Sequence, residues 1–569
     1  TRIPIAIEFE YFLCISDKNH LENDFTSCKT EQFMVLMKKW NCLFWIGRSS
    51  RKTRQGKGKI PTEQPKPKGY STPNSRETVC METMINHAGK RHNKKEDNSK
   101  QTDRQDSQKG GNQMKKTAVV LAGGGSRGAY QIGAWKAMRE LGIDYQLVTG
   151  TSVGALNGAL MVQQDFDRAL SVWENLSFQD VVGDMLKDKT DLSDRQLTRI
   201  FAREALGKGG ADISALEHFI DSLVDETRFR SSDIDFALVT VEYPTLKPLE
   251  MEKKDIPKGM LNEYLLASAA CFPAFQAKEI DGHKYIDGGY HDNMPINLAL
   301  QMGAERIIAI DLESVGVSRK IKDDARQVAG WNNKSDAKQV IIIRSLWPLG
   351  SFLNFEGELA RRNIRLGYQD ALKAFGELDG QLYAFEKDSA FFYTTSLREQ
   401  VDTLFEQISF REPQLFHLSR SILLRRMMRE FRKRSQHTST ARSFTLSRQM
   451  MMSAEYLGEA LGVEPTQVYE FGDFLRLLLE KAQECRQRPV PQNILTGNTL
   501  ADLQKMGEQL QNLDRAFLVL LIRERIERFL QGGGSRIELA FVSAFWREFV
   551  AALFLLMLER MDRAQLSAE

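Results

Sequence analysis

The amino-acid sequence predicts an α/β protein: a mostly parallel sheet with helices on both faces, followed by an all-helical C-terminal region. Three observations carry this. Between 114 and about 378, short β-branched apolar runs alternate with helical stretches. Beyond about 396 such runs stop and long amphipathic patterns take over. The glycine-rich loop that opens the alternating part follows a strand and precedes a helix. A chain of 569 residues has room for two to four domains of ~150 residues each.

The strand runs are "TAVVLA" (117–122), "YQLVTG" (145–150), "FALVTVEY" (236–243), "RIIAIDL" (306–312) and "QVIIIRS" (339–345). They are almost continuously apolar, as suits strands covered on both faces. Helical stretches such as 128–141 and 154–163 lie between them. The later patterns include "DFLRLLLEKAQEC" (473–485) and 500–530. The expected organisation is therefore an α/β domain at 114–378, a linker at 379–395 and a helical region at 396–569.

Residues 1–113 differ in character, with 21 Lys+Arg against 13 Asp+Glu and four prolines between Pro61 and Pro73. So polar a stretch buries too little apolar surface to offset the entropy of ordering it. It reads as a largely disordered basic extension. Met114, followed by two lysines and a strand, reads as the opening of a complete protein, which makes 1–113 an appendage.

With 42% hydrophobic and 27% charged residues and a net charge of +3, bulk composition points to no nucleic-acid partner. Six scattered cysteines without C-x-x-C spacing argue against a disulfide framework or a zinc site and for a reducing, cytoplasmic setting. No apolar run reaches the roughly 18–20 residues that cross a bilayer, since 537–558 is interrupted by Glu538, Arg547 and Glu548. The expectation is a soluble protein for which peripheral membrane contact stays open. One candidate for that contact is "RSILLRRMMREFRKR" (420–434), with Leu424, Met427, Met428 and Phe431 on one helical face. Such a helix either lies on anionic lipid or packs its apolar stripe against the protein.

"LAGGGSRGAYQIG" (121–133) places Gly123, Gly125 and Gly128 in G-x-G-x-x-G, a pattern that cradles a dinucleotide pyrophosphate. A dinucleotide site also needs an acidic residue at the tip of the second strand. That tip instead reads "GTSVG", with Gly150, Ser152 and Gly154 in G-x-S-x-G, and Asp144 lies at the strand's wrong end. A strand running through G-x-S-x-G into a helix is a nucleophile elbow, with Ser152 as the projecting nucleophile and Gly150 and Gly154 leaving room for the turn. The anion cradled is then the oxyanion of an acyl-transfer intermediate. Backbone N–H groups of Gly124, Gly125 and their neighbours hold it, with Arg127 adding charge. "GGGSR" recurs at 532–536 between helices, where its glycines serve as a cap and turn.

A serine nucleophile needs a base. His218, His283, His291, His417 and His437 have no distinctive flanks. In "AKEIDGHKYIDGGYHDNMP" (277–295), Asp281-Gly282 fits a two-residue hairpin turn, whereas Asp287-Gly288-Gly289 closes the returning run. Asp287 is the preferred base, provided that desolvation raises its basicity, and Asp281 is the structural control. A histidine-dependent esterase and a membrane-binding scaffold with an idle site are the alternatives.

The ordered set "GGGSRG" (123–128), "GTSVG" (150–154) and "DGG" (287–289), with "ASAACFPAF" (267–275) and "DNMP" (292–295), resembles the patatin-like phospholipases over about 114–378. The resemblance implies a Ser152–Asp287 dyad without histidine and an oxyanion role for Gly123, Gly124, Gly125 and Arg127. It also implies lipid acyl esters as substrates, cleaved without metal or cofactor. It implies nothing for 1–113 or for the helical region.

Overall fold

The structure, a computed structural model, describes residues 115–182, 210–314, 316–321, 325–327, 337–411, 425–431, 445–487, 514–533 and 545–566. The expectations for 1–113, His417 and His437 lie outside these residues.

In chain order the first part comprises β1 (Thr117–Leu121), α1 (Ala129–Glu140), β2 (Leu147–Thr151), α2 (Val153–Val162), α3 (Phe166–Asn175) and α4 (Ser214–Leu223). There follow β3 (Asp235–Tyr243), β4 (Lys247–Glu252), α5 (Leu261–Ala269), β5 (Lys278–Ile280), β6 (His283–Asp287) and α6 (Ile296–Gln301). It closes with β7 (Arg306–Asp311), β8 (Ala325–Gln327), β9 (Lys338–Arg344) and α7 (Gly357–Phe375). The nine strands form one sheet, parallel through β3-β2-β1-β7-β9-β8, with β4, β5 and β6 antiparallel. All five runs read as strands are strands. Ala118 and Val120 of β1 pack with Ile307 and Ala309 beneath α6, while Val119 and Leu121 pack with Ile308 and Ile310 beneath α1 and α2. Covering on both faces is why these strands carry no polar alternation.

The register of β3 positions the site. Ala237 pairs with Thr149 of β2 and Glu252 of β4, and Thr240 pairs with Leu249 of β4 and Asp287 of β6. Thus β4 follows one edge of β3, while β2 and β6 share the other. Thr151 sits opposite Val239 and Asp287 opposite Thr240, so the ends of β2 and β6 meet head to head. Asp281 and Gly282, at φ 51 and φ 79, form the tight turn between β5 and β6. The strand β4, "KPLEME", is nowhere fully buried and lacks the continuous apolar run that marks the five strands read from the sequence.

The C-terminal part carries β10 (Leu378–Asp379), β11 (Ala384–Glu386), α8 (Thr394–Arg411), α9 (Leu446–Leu461), β12 (Val468–Tyr469), α10 (Phe471–Arg486), α11 (Arg515–Leu530) and α12 (Trp546–Leu566). It has a hydrophobic core of its own, and the stretch expected to be a linker enters that core through Leu382, Tyr383 and Phe385. Buried Glu455 of α9 fastens this stretch by accepting the backbone N–H groups of Gln381, Leu382 and Tyr383 at 2.6, 2.9 and 3.2 Å. Residues 425–431 are helical, and their Met427 and Phe431 are buried in the same core. The apolar face of this basic helix therefore packs on protein. Gly532, at φ +100, caps α11. No helix among the described residues is long and apolar enough to cross a membrane.

Candidate active site

Ser152 is the last residue before α2 and adopts φ 56, ψ −131, a conformation that costs a non-glycine residue roughly 1–3 kcal/mol. The surroundings hold it there. Its N–H donates to Ser268 Oγ at 2.9 Å, and the Ser268 hydroxyl, fully buried, donates in turn to the Val239 carbonyl at 2.7 Å. A Cβ on Gly150 would lie 2.3 Å from the Gly154 carbonyl oxygen, so the turn tolerates no side chain there.

Asp287, at the end of β6, faces the Ser152 hydroxyl and is 6% exposed. Burial pushes its carboxyl up to about 6; the hydrogen bond from Ser152 and the Gly289 N–H, 2.7 Å from Oδ1, pull it part of the way back. Such a carboxylate is ionised at neutral pH yet far more basic than an ordinary aspartate. Asp281 is exposed at its hairpin tip.

The glycine loop leaves β1 beside Ser152. Gly123 is committed to structure: its N–H donates to the Asn293 carbonyl at 3.0 Å. Its carbonyl accepts from Asn293 Nδ2 at 3.3 Å and from the Ser314 hydroxyl. In a trans peptide C=O and N–H point oppositely, so anchoring the Gly123 carbonyl aims the Gly124 N–H the other way. The N–H groups of Gly124 and Gly125 have no acceptor among the described residues. Gly125 sits at φ +56, and a Cβ there would lie 2.2 Å from the Phe352 carbonyl oxygen.

Arg127 lines the cavity that Ser152 borders, with its guanidinium held by backbone carbonyls. Its Nε donates to the Gly350 carbonyl at 2.9 Å, and its NH1 donates to the Glu313 carbonyl at 3.0 Å and the Leu312 carbonyl at 3.4 Å. It braces the loop, and burial lowers its pKa.

Ser152, Asp287, Gly124 and Gly125 border a cavity of about 660 Å³. Its walls are apolar, including Leu156, Leu160, Trp173, Leu216, Ile220 and Phe275. His218, bonded to the Ser214 carbonyl, His283, bonded to Glu242, and His291, beside Arg319, all stand off its lining. The described residues contain no cluster of three metal-ligating side chains. Ser268 and Asn293 are the site residues that motif reading passed over. Both lie in segments noted for their resemblance ("ASAACFPAF" and "DNMP"), but nothing local says what they touch.

Residues 119–300, which carry this site, match the family model described as "Patatin-like phospholipase". Patatin-like phospholipase domain-containing protein 7 of Rattus norvegicus is 28% identical over 201 residues, 35% of this chain and 14% of that one. Lysophospholipase nte1 of Aspergillus terreus is 28% identical over 199 residues, 35% of this chain and 12% of that one. The match thus spans about one seventh of the length of the curated relatives. The crystal structure of VipD from Legionella pneumophila aligns with 78% of this chain and 90% of its own, at 12% identity and a TM-score of 0.30.

Proposed function

We propose that residues 114–378 form a serine hydrolase that cleaves fatty-acyl esters of phospholipids or related lipids through a Ser152–Asp287 dyad. What supports this reading above all is the strained Ser152 hydroxyl facing a buried carboxylate lifted to about 6, beside two unengaged glycine N–H groups. The apolar cavity and the name of the lysophospholipase relative support a lipid acyl chain as the group held.

In the first step the Ser152 oxygen attacks the ester carbonyl and its proton passes to Asp287. The carbonyl electron pair moves onto oxygen, where the Gly124 and Gly125 N–H groups donate to it, each worth ~3–4 kcal/mol of barrier in comparable sites. Collapse expels the alcohol, which leaves with the proton held by Asp287. In the second step Asp287 deprotonates water, hydroxide attacks the acyl carbon, and the proton returns to Ser152 as the fatty acid departs. Arg127 and Gly123 act through the loop they brace.

Labelling with a fluorophosphonate and hydrolysis of a chromogenic acyl ester test this reading. Ser152→Ala should abolish labelling and turnover, and Asp287→Asn should remove nearly all turnover. Asp281→Asn should retain most activity, and equal losses at the two aspartates would refute the assignment. Fatty acids released from a mixed lipid extract identify the substrate.

A further inference from the structure

Six large apolar side chains stand exposed among the described residues, and three of them, Leu246, Tyr290 and Val317, border the mouth of the cavity that holds Ser152. They come from three separate segments: the turn between β3 and β4, the turn after Asp287, and the 316–321 stretch. Leu246 is 58% exposed and adopts φ +57, a left-handed conformation that glycine or asparagine takes at lower cost. A leucine there neither eases the backbone nor fills a core, so packing within the chain gives no reason for it.

Cations interleave with this apolar rim. Exposed Lys247 follows Leu246, and exposed Arg319 and Lys320 follow Val317. Two acids stand beside these three cations: Glu250 lies 3.7 Å from Arg319, and Glu242, which bonds His283 and Thr245, sits opposite Lys247 in the sheet. An apolar ring set among cations complements a bilayer bearing anionic head groups.

We infer that this rim docks the protein on an anionic phospholipid bilayer, so that an acyl chain passes from membrane to cavity without entering water. The inference rests on the hydrolase reading for what passes through the mouth, though docking itself does not require turnover. A bilayer suits the rim better than a protein partner does, because a partner seated there would stopper the cavity. Each methylene kept out of water is worth roughly a factor of four in transfer.

The test uses the full chain carrying Ser152→Ala, co-sedimented with phosphatidylcholine–phosphatidylglycerol vesicles and with pure phosphatidylcholine vesicles. The parent should prefer the anionic vesicles. Leu246→Asn, which eases the backbone, and Val317→Asp should each weaken binding about tenfold without lowering the unfolding temperature. In the active chain the same changes should reduce hydrolysis of vesicle lipid at least about tenfold more than hydrolysis of a soluble short-chain ester. Rim variants that bind like the parent, a parent indifferent to vesicle charge, or equal losses on both substrates would overturn the inference. Rim-dependent binding by a chain with no hydrolytic activity would instead remove the hydrolase reading and leave the docking intact.

Discussion

Replacing Asp287 by asparagine separates the cost of the proposed base from its use. The native carboxyl titrates near 6 rather than at its ordinary 3.8, a rise of roughly two units worth about 3 kcal/mol. Because the folded state holds this proton more tightly than the unfolded chain, stability is greatest below the unfolded pKa and falls as pH rises through 6. The full cost stands above that. Asparagine keeps the shape, retains an oxygen for the Gly289 N–H and carries no charge to desolvate. The variant should therefore gain stability relative to the parent as pH rises, by about 2 kcal/mol between pH 4.5 and pH 8. Urea unfolding of both proteins at the two pH values measures this, and comparing differences cancels every other titrating group. The same substitution should lower turnover by roughly two to four orders of magnitude, the usual worth of a general base. In the parent, kcat/KM should rise with pH around 6 as the carboxylate ionises. An Asp287→Asn variant with turnover within about tenfold of the parent, or whose stability difference from the parent is flat with pH, refutes a desolvated catalytic carboxylate.

Other changes probe the supports. Asn293→Ala removes one of the two donors to the Gly123 carbonyl, leaving the Ser314 hydroxyl alone to hold it, and so loosens the aim of the Gly124 N–H. It should lower kcat about 10- to 100-fold with little change in KM, measured by steady-state kinetics, whereas a KM effect alone would sink the proposed positioning. Ser268→Ala strands the Ser152 N–H and the Val239 carbonyl in the interior, and should cost about 1–3 kcal/mol by denaturant unfolding along with a drop in fluorophosphonate labelling rate. Glu455→Ala leaves three buried N–H groups without their carboxylate, and should destabilise the C-terminal part by at least about 3 kcal/mol, seen as faster amide exchange at 381–383.

The features legible in the sequence are those whose cause is local. Two-face burial makes β1, β2, β3, β7 and β9 apolar throughout, and each is visible within a few residues. The left-handed pair at Asp281 and Gly282 is written in an Asp-Gly turn, and the strained elbow at Ser152 in its two glycines. A short window also separated the first "GGGSR", after a strand, from the second, after a helix.

The tertiary structure decided what depends on residues far apart in the chain. The bond from the Ser152 N–H to Ser268 joins positions 116 apart, and that from Asn293 to the Gly123 carbonyl spans 170. Motifs named those segments but not their partners. Arg127 shows the same limit: nothing near it in the chain says that carbonyls from 312–313 and 350 hold its guanidinium. The basic helix around 425–431 read equally well as lipid-facing or protein-facing until the C-terminal core took up Met427 and Phe431. The exposed apolar rim, from three distant segments, had no sequence signature at all. Above all, only the sharing of one β3 edge by β2 and β6 brings residue 287 to residue 152. Pattern within a strand encodes which faces are buried, but which strand ends abut is settled by how the whole sheet assembles.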